Sequence, residues 1–123
     1  MATSLLVVDD EIPIQAALEQ TFTDAGYDVS TASDGIQAID LLELRAGSLG
    51  ALITDLSLGR GPDGWQVARR ARELAPTLPV VYITGGRGRE GVPTWAPDGV
   101  MLLKPFTDDH LLVVVSALLY FAG

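Results

Sequence analysis

At 123 residues, of which 48% are apolar, the chain is long enough to bury one core and too apolar to stay disordered. It has no cysteine, which excludes a disulfide framework and a thiolate metal site. Sixteen acids against eight bases give a formal charge of −8, which argues against a nucleic-acid surface because counterion displacement needs clustered cations.

In chain order, the first apolar run is SLLVV (4–8), which ends abruptly in Asp9, Asp10 and Glu11. Pro13 suits the first turn of a helix that carries Ile14, Ala17, Leu18 and Phe22 at three- and four-residue spacing, and Glu11 reads as an acid at its start. YDVSTA (27–32) reads as a second strand, and Asp34 as the N-cap of a helix with Ile36, Ile39 and Leu42 on one face. ALIT (51–54) is a third strand and runs into Asp55. Trp65, Ala68, Arg69 and Arg72 have helical spacing, with Arg69, Arg70 and Arg72 read as a solvated face partly paired with Glu73. VVYIT (80–84) is a fourth strand that ends in Thr84.

The segment 85–98, GGRGREGVPTWAPD, holds four glycines and two prolines and predicts a loop where the alternation of strand and helix asks for a helix. GVMLL (99–103) is the fifth strand, followed by Lys104, the only lysine in the chain. Thr107 is a candidate N-cap for a last helix whose Leu111, Val114, Val115 and Leu118 form a core stripe. His110 reads as a surface residue of its opening turn. Leu112, Val113, Leu119, Tyr120 and Phe121 wrap too far around that helix for one buried face and predict a protein contact, including a possible homodimer. LLVVVSALLYFAG is too short to span a bilayer and no signal-peptide pattern opens the chain, so a soluble cytoplasmic protein of one domain, 1–123, is the expectation.

Strand and helix in alternation predict an α/β fold, a doubly wound sheet of five parallel strands with right-handed crossovers and helices on both faces. In such sheets ligands bind beyond the carboxyl ends of the strands. Asp9, Asp10, Asp55, Thr84 and Lys104 all stand at such ends. Carboxylates without His or Cys suit a hard, oxygen-seeking dication such as Mg2+. A carboxylate is also a nucleophile able to form an aspartyl-phosphate, a transfer that needs a metal, a cation and hydroxyl donors around the phosphoryl oxygens. Gly86 to Gly91 matches GxGxxG literally, but VPTWAP cannot open the helix that a dinucleotide site requires.

LLVVDDE, ITD, YITG and LLKPF, in this order, resemble the receiver domain of two-component response regulators over essentially the whole chain. The resemblance implies a flavodoxin-like strand order 2-1-3-4-5. It implies Asp55 as phosphoacceptor, Thr84 and Lys104 as the switch hydroxyl and phosphate-binding lysine, and a histidine kinase or phosphotransfer protein as donor. It further implies Mg2+ on Asp10, Asp55 and the Ser57 backbone carbonyl, with Asp9 acting through water, and a cis peptide before Pro105 that aims the ammonium inward. Such a domain phosphorylates and dephosphorylates itself but serves signalling and is not an enzyme in the ordinary sense.

Three departures touch mechanism. LSLGRGPDG places Gly59 where the family usually has proline and is one residue longer. Met101 stands where an aromatic switch residue is common. The fourth helix of the family falls in 85–98 and is expected to be short or absent. Two rivals remain: a phosphate-independent pseudo-receiver interaction module, against which the intact acidic set argues, and an aspartyl phosphatase, against which Ser57 argues by occupying the place of that class's second acid.

Overall fold

The computed structural model describes residues 2–86 and 91–122. In chain order its elements are β1 (Ser4–Val8), α1 (Ile12–Asp24), β2 (Asp28–Ala32), α2 (Gly35–Arg45), a short 3-10 turn (Ala46–Ser48), β3 (Ala51–Asp55), α3 (Gly64–Leu74), β4 (Val80–Thr84), β5 (Val100–Leu103) and α4 (Asp108–Ala122). The five strands are parallel and lie in the order β2-β1-β3-β4-β5, as expected.

Both sheet faces are covered, so β1, β3 and β4 are near-continuous apolar runs whose alternate residues face opposite ways. Leu6, Val8, Leu52, Val80 and Tyr82 pack toward α2 and α3, against Ala38, Leu42, Trp65 and Ala68. Leu5, Val7, Ile53, Val81 and Ile83 pack toward α1 and α4, against Leu18, Phe22, Leu111 and Val115. The caps expected at Asp34 and Thr107 form: Asp34 accepts from the Gln37 N–H and Thr107 from the His110 N–H. Pro13 lies in the first turn of α1, and Glu11 is that helix's N-cap residue without a side-chain cap bond.

Some local expectations are revised. Tyr27 precedes β2, packing edge-on against Phe22 with its hydroxyl 3.2 Å from Ser116 Oγ. Leu112 and Leu119 pack partly against the core, leaving Val113, Tyr120 and Phe121 as the exposed large apolar residues among the described side chains of α4. Arg69 and Arg70 do pair with Glu73, and Arg70 also pairs with Glu43. Arg72 is not simply solvated: it donates to the carbonyls of Leu78 and Asp98. Between β4 and β5 the described residues 85–86 and 91–98 contain no helix, and 87–90, which complete the loop expected there and the GxGxxG match, lie outside the described residues.

At the start of α3, Asp63 accepts from the Gln66 N–H and the Gln66 side chain accepts from the Asp63 N–H, a reciprocal cap. Asp63→Ala should therefore lower stability by about 1 kcal/mol, or roughly 4 °C in melting temperature. A thermal melt that leaves the midpoint unchanged contradicts that role.

Candidate functional site

Register brings the acids together. Val8 of β1 lies opposite Thr54 of β3, so the next residues, Asp9 and Asp55, emerge side by side at the carboxyl end of the sheet. One carboxylate oxygen from each of Asp9, Asp10 and Asp55 lies within 4.8 Å of the others. Asp9 is fully buried and Asp55 nearly so, while Asp10, next in the chain, is exposed at the mouth of the cluster. Asp55 is opposite Ile83 on β4, which places Thr84 beside it, and Thr84 is opposite Leu103 on β5, which places Lys104 one residue further.

The Lys104 ammonium reaches back across the cleft and donates to Asp55 Oδ2 at 3.0 Å, while the Ser57 N–H donates to Asp55 Oδ1 at 3.0 Å. The peptide bond between Lys104 and Pro105 is cis. Thr84 Oγ1 accepts from the Gly86 N–H at 3.1 Å. Asp10, Glu11, Asp55, Ser57, Thr84 and Lys104 thus line one open cleft of about 340 Å3. His110 is exposed on α4 and does not line it. Gly59, in the loop after Asp55, has φ +72°, a conformation that proline's ring forbids.

Burial works against the charge on Asp9. Desolvation raises its pKa above the usual carboxylate value; the Glu11 N–H bonded to Oδ1 at 2.9 Å offsets part of this, and the neighbouring charge of Asp55 adds to it. Asp9 Oδ2 is buried and has no hydrogen-bond partner. For Lys104, burial opposes the charge, and the hydrogen bond and charge of Asp55 outweigh it, so its pKa is raised. Four carboxylates, those of Asp9, Asp10, Glu11 and Asp55, against one ammonium leave the site net negative with one orphaned buried oxygen, and the all-oxygen donor set of the three aspartates suits a hard dication.

Sequence reasoning had not singled out Gln15. Its amide nitrogen lies 3.2 Å from the Asp9 carbonyl, 2.9 Å from the Ala32 carbonyl and 3.1 Å from Ser33 Oγ, pinning the end of β1 to the end of β2. A polar side chain on the core-facing side of α1, between Ile14 and Leu18, was the available signal.

The raised pKa of Asp9 fixes a sign. The folded chain keeps a proton that the unfolded chain, near 3.8, has already released. That contribution to stability is present below the unfolded value and is lost as pH rises through the folded one. With chelator present, Asp9→Asn should raise the melting temperature at neutral pH by a few degrees and flatten the rise seen on acidification from neutrality. Melts in which Asp9→Asn is less stable at neutral pH contradict the assignment of Asp9 as an uncompensated acid.

Comparison with known proteins agrees with this geometry. Residues 5–116 match the family model of the response regulator receiver domain. The chain is 32% identical over 123 residues to the response regulator MprA of Mycobacterium bovis, a match that covers 97% of this chain and 51% of that protein. It therefore spans about half the length of the curated relatives it matches. A response regulator receiver protein from Sinorhizobium medicae superposes with a TM-score of 0.91 at 41% identity, covering 99% of this chain and 98% of the other. The receiver domain of the sensor histidine kinase PA1611 from Pseudomonas aeruginosa, solved with magnesium coordinated in its active-site cleft, gives 0.86 at 25% identity, covering 98% and 99%. The chain belongs to the response regulator receiver domain family of two-component signalling.

Proposed function

We propose that Asp55 is the phosphoacceptor. An Asp55 carboxylate oxygen attacks the phosphorus of a phosphohistidine carried by a histidine kinase or phosphotransfer protein. The new O–P bond forms as the P–N bond breaks, and the bonding pair leaves with the imidazole. The carrying observation is the Lys104 ammonium at 3.0 Å from Asp55 Oδ2 inside the trio of acids. It marks the one carboxylate of the three that is held, near-buried, between a cation and a backbone N–H.

Asp9, Asp10, Asp55 and the Ser57 carbonyl would hold Mg2+. The ion supplies positive charge against the phosphoryl oxygens and lowers the repulsion among the acids. Lys104 passes from the Asp55 carboxylate to a phosphoryl oxygen, and the Thr84 hydroxyl, turning from the Gly86 N–H, donates to another. Self-phosphorylation and slow self-dephosphorylation follow from the same groups, with signalling as the outcome. The acidic net charge supports a protein partner and not nucleic acid, and the reading carries with it the cytoplasmic location expected from the sequence. The exposed Val113, Tyr120 and Phe121 of α4 favour a protein contact there, a second copy of the chain included.

Incubation with acetyl phosphate and Mg2+ should add one phosphoryl group by intact mass, and Asp55→Asn should abolish the addition. Full labelling of Asp55→Asn, or none of the wild type, overturns the assignment; steady turnover of donor without an accumulated adduct would favour a phosphatase. Mg2+ alone should stabilise the wild type by about 1.4 kcal/mol at ten times its Kd, through preferential binding to the folded cleft. For the α4 contact, light scattering over a concentration series should show association that Tyr120→Arg removes, and a strictly monomeric wild type counts against self-association.

A further inference from the structure

The segment between β4 and β5 is fastened at both ends to one face of one strand. At its start the Gly86 N–H donates to Thr84 Oγ1 at 3.1 Å. At its end the hydroxyl of Tyr82, two residues earlier and hence on the same face of β4, donates to the Pro97 carbonyl at 2.7 Å. The Tyr82 ring is buried and packs against Trp65 at 4.5 Å between centroids. A Cβ on Gly99 would lie 2.8 Å from Tyr82 Cε2 and 2.6 Å from the Val80 carbonyl, so only a hydrogen lets the chain pass against the ring edge. Across the ladder Tyr82 pairs with Met101, which stands where the family commonly has an aromatic residue. Beside both lies a cavity of about 120 Å3, lined also by Trp65, Val92, Ala96 and Pro97. Arg69, 5.0 Å over the Trp95 ring, and Arg72, bonded to the Asp98 carbonyl, tie the same segment to α3. Among the described residues, only Thr84 and Tyr82 tie it by side-chain hydrogen bonds to the strand that carries the cleft hydroxyl.

We propose that Tyr82 is the latch that couples the cleft to segment 91–98, so that the aromatic coupling position of this domain lies on β4, opposite Met101, and not on β5. The inference rests on the reading of Asp55 as phosphoacceptor. When the Thr84 hydroxyl turns toward a phosphoryl oxygen it releases the Gly86 N–H, and the strain of that shift falls on the Tyr82–Pro97 bond. The adjoining cavity and the flexible Met101 thioether give the ring room to move. Opening the bond releases Pro97 from β4 and leaves its neighbour Trp95, 43% exposed in the latched state, held to α3 through Arg69 and Arg72, so that its surroundings change.

Trp65 and Trp95, the only two tryptophans, stand at the two ends of the latch and can be read separately by 19F NMR after 5-fluorotryptophan labelling. Phosphorylation with acetyl phosphate and Mg2+, its extent followed by intact mass, should shift both resonances of the wild type. Tyr82→Phe keeps the ring and removes the hydroxyl. It should accept the phosphoryl group as readily as wild type, yet at rest show the Trp95 resonance already displaced toward the phosphorylated position. Loss of one such hydrogen bond should raise the open population about fivefold. A resting Tyr82→Phe signal that coincides with wild type, and moves as far on phosphorylation, overturns the latch. Should Tyr82→Phe melt too low to compare, the wild type decides, since a Trp95 resonance unmoved by phosphorylation also overturns it. A wild type that takes no phosphoryl group defeats the reading of Asp55, while the comparison of resting proteins still tests the latch.

Discussion

Two carboxylates, Asp9 and Asp55, lie buried side by side at the ends of the neighbouring strands β1 and β3, with one ammonium, that of Lys104, bonded to Asp55. Burial of like charges opposes folding, so the surrounding structure has to hold them in place. Gln15 pins the end of β1, the Glu11 and Ser57 N–H groups each bind one carboxylate oxygen, and Lys104 reaches across from β5. The oxygen of Asp9 that finds no partner is the residual cost, and it faces the same need that a dication would meet. Strand order meets this demand: Asp9, Asp55, Thr84 and Lys104 come together because β1, β3, β4 and β5 are consecutive neighbours in the sheet.

The second constraint is the stretch between β4 and β5, whose described residues, 85–86 and 91–98, form no helix. Glycines at 85, 86 and 91 and prolines at 93 and 97 disfavour helical bonding there, and the one internal turn bond among the described residues runs from the Ala96 N–H to the Pro93 carbonyl at 3.1 Å. Three further backbone groups of the described residues are met by side chains: the Pro97 carbonyl by Tyr82, the Asp98 carbonyl by Arg72 and the Gly86 N–H by Thr84. A covering element held by a few side-chain bonds opens at lower free energy than a helix packed along its length. On the proposed reading of Asp55 and Tyr82, that property suits a segment that responds to phosphorylation of the cleft.

Much of this was legible in the chain because strand ends announce themselves. Each apolar run stops at a polar residue, and the topology of parallel sheets says where such residues gather, so Asp9, Asp55, Thr84 and Lys104 were readable from position alone. What separates Asp9 from Asp10 was not readable: both follow SLLVV, and only the pairing of the Asp9 N–H with the Ala32 carbonyl shows that the ladder extends one residue further and takes Asp9 inside. Arg72 repeated the spacing of the buried Trp65 and Ala68, a hint that it was not simply solvated, but its carbonyl partners lie beyond α3, and one of them is 26 residues away. Tyr82 looked like any strand aromatic. A buried phenol needs a partner for its hydroxyl, and that partner sits in the stretch whose path composition says least about. The reciprocal cap at Asp63 and Gln66 was present as Asp-x-x-Gln and needed no long-range information.

The central claim is that the acids form one cleft made for Mg2+ around Asp55. A titration of isotopically labelled protein with Mg2+, followed by backbone amide shifts, tests it most directly. The account predicts saturable shifts confined to the ends of β1, β3, β4 and β5, largest at the Glu11 and Ser57 amides that bond the carboxylates, and absent in Asp9→Asn. Shifts that grow linearly without saturating, or that spread evenly over the acidic surface, would contradict it.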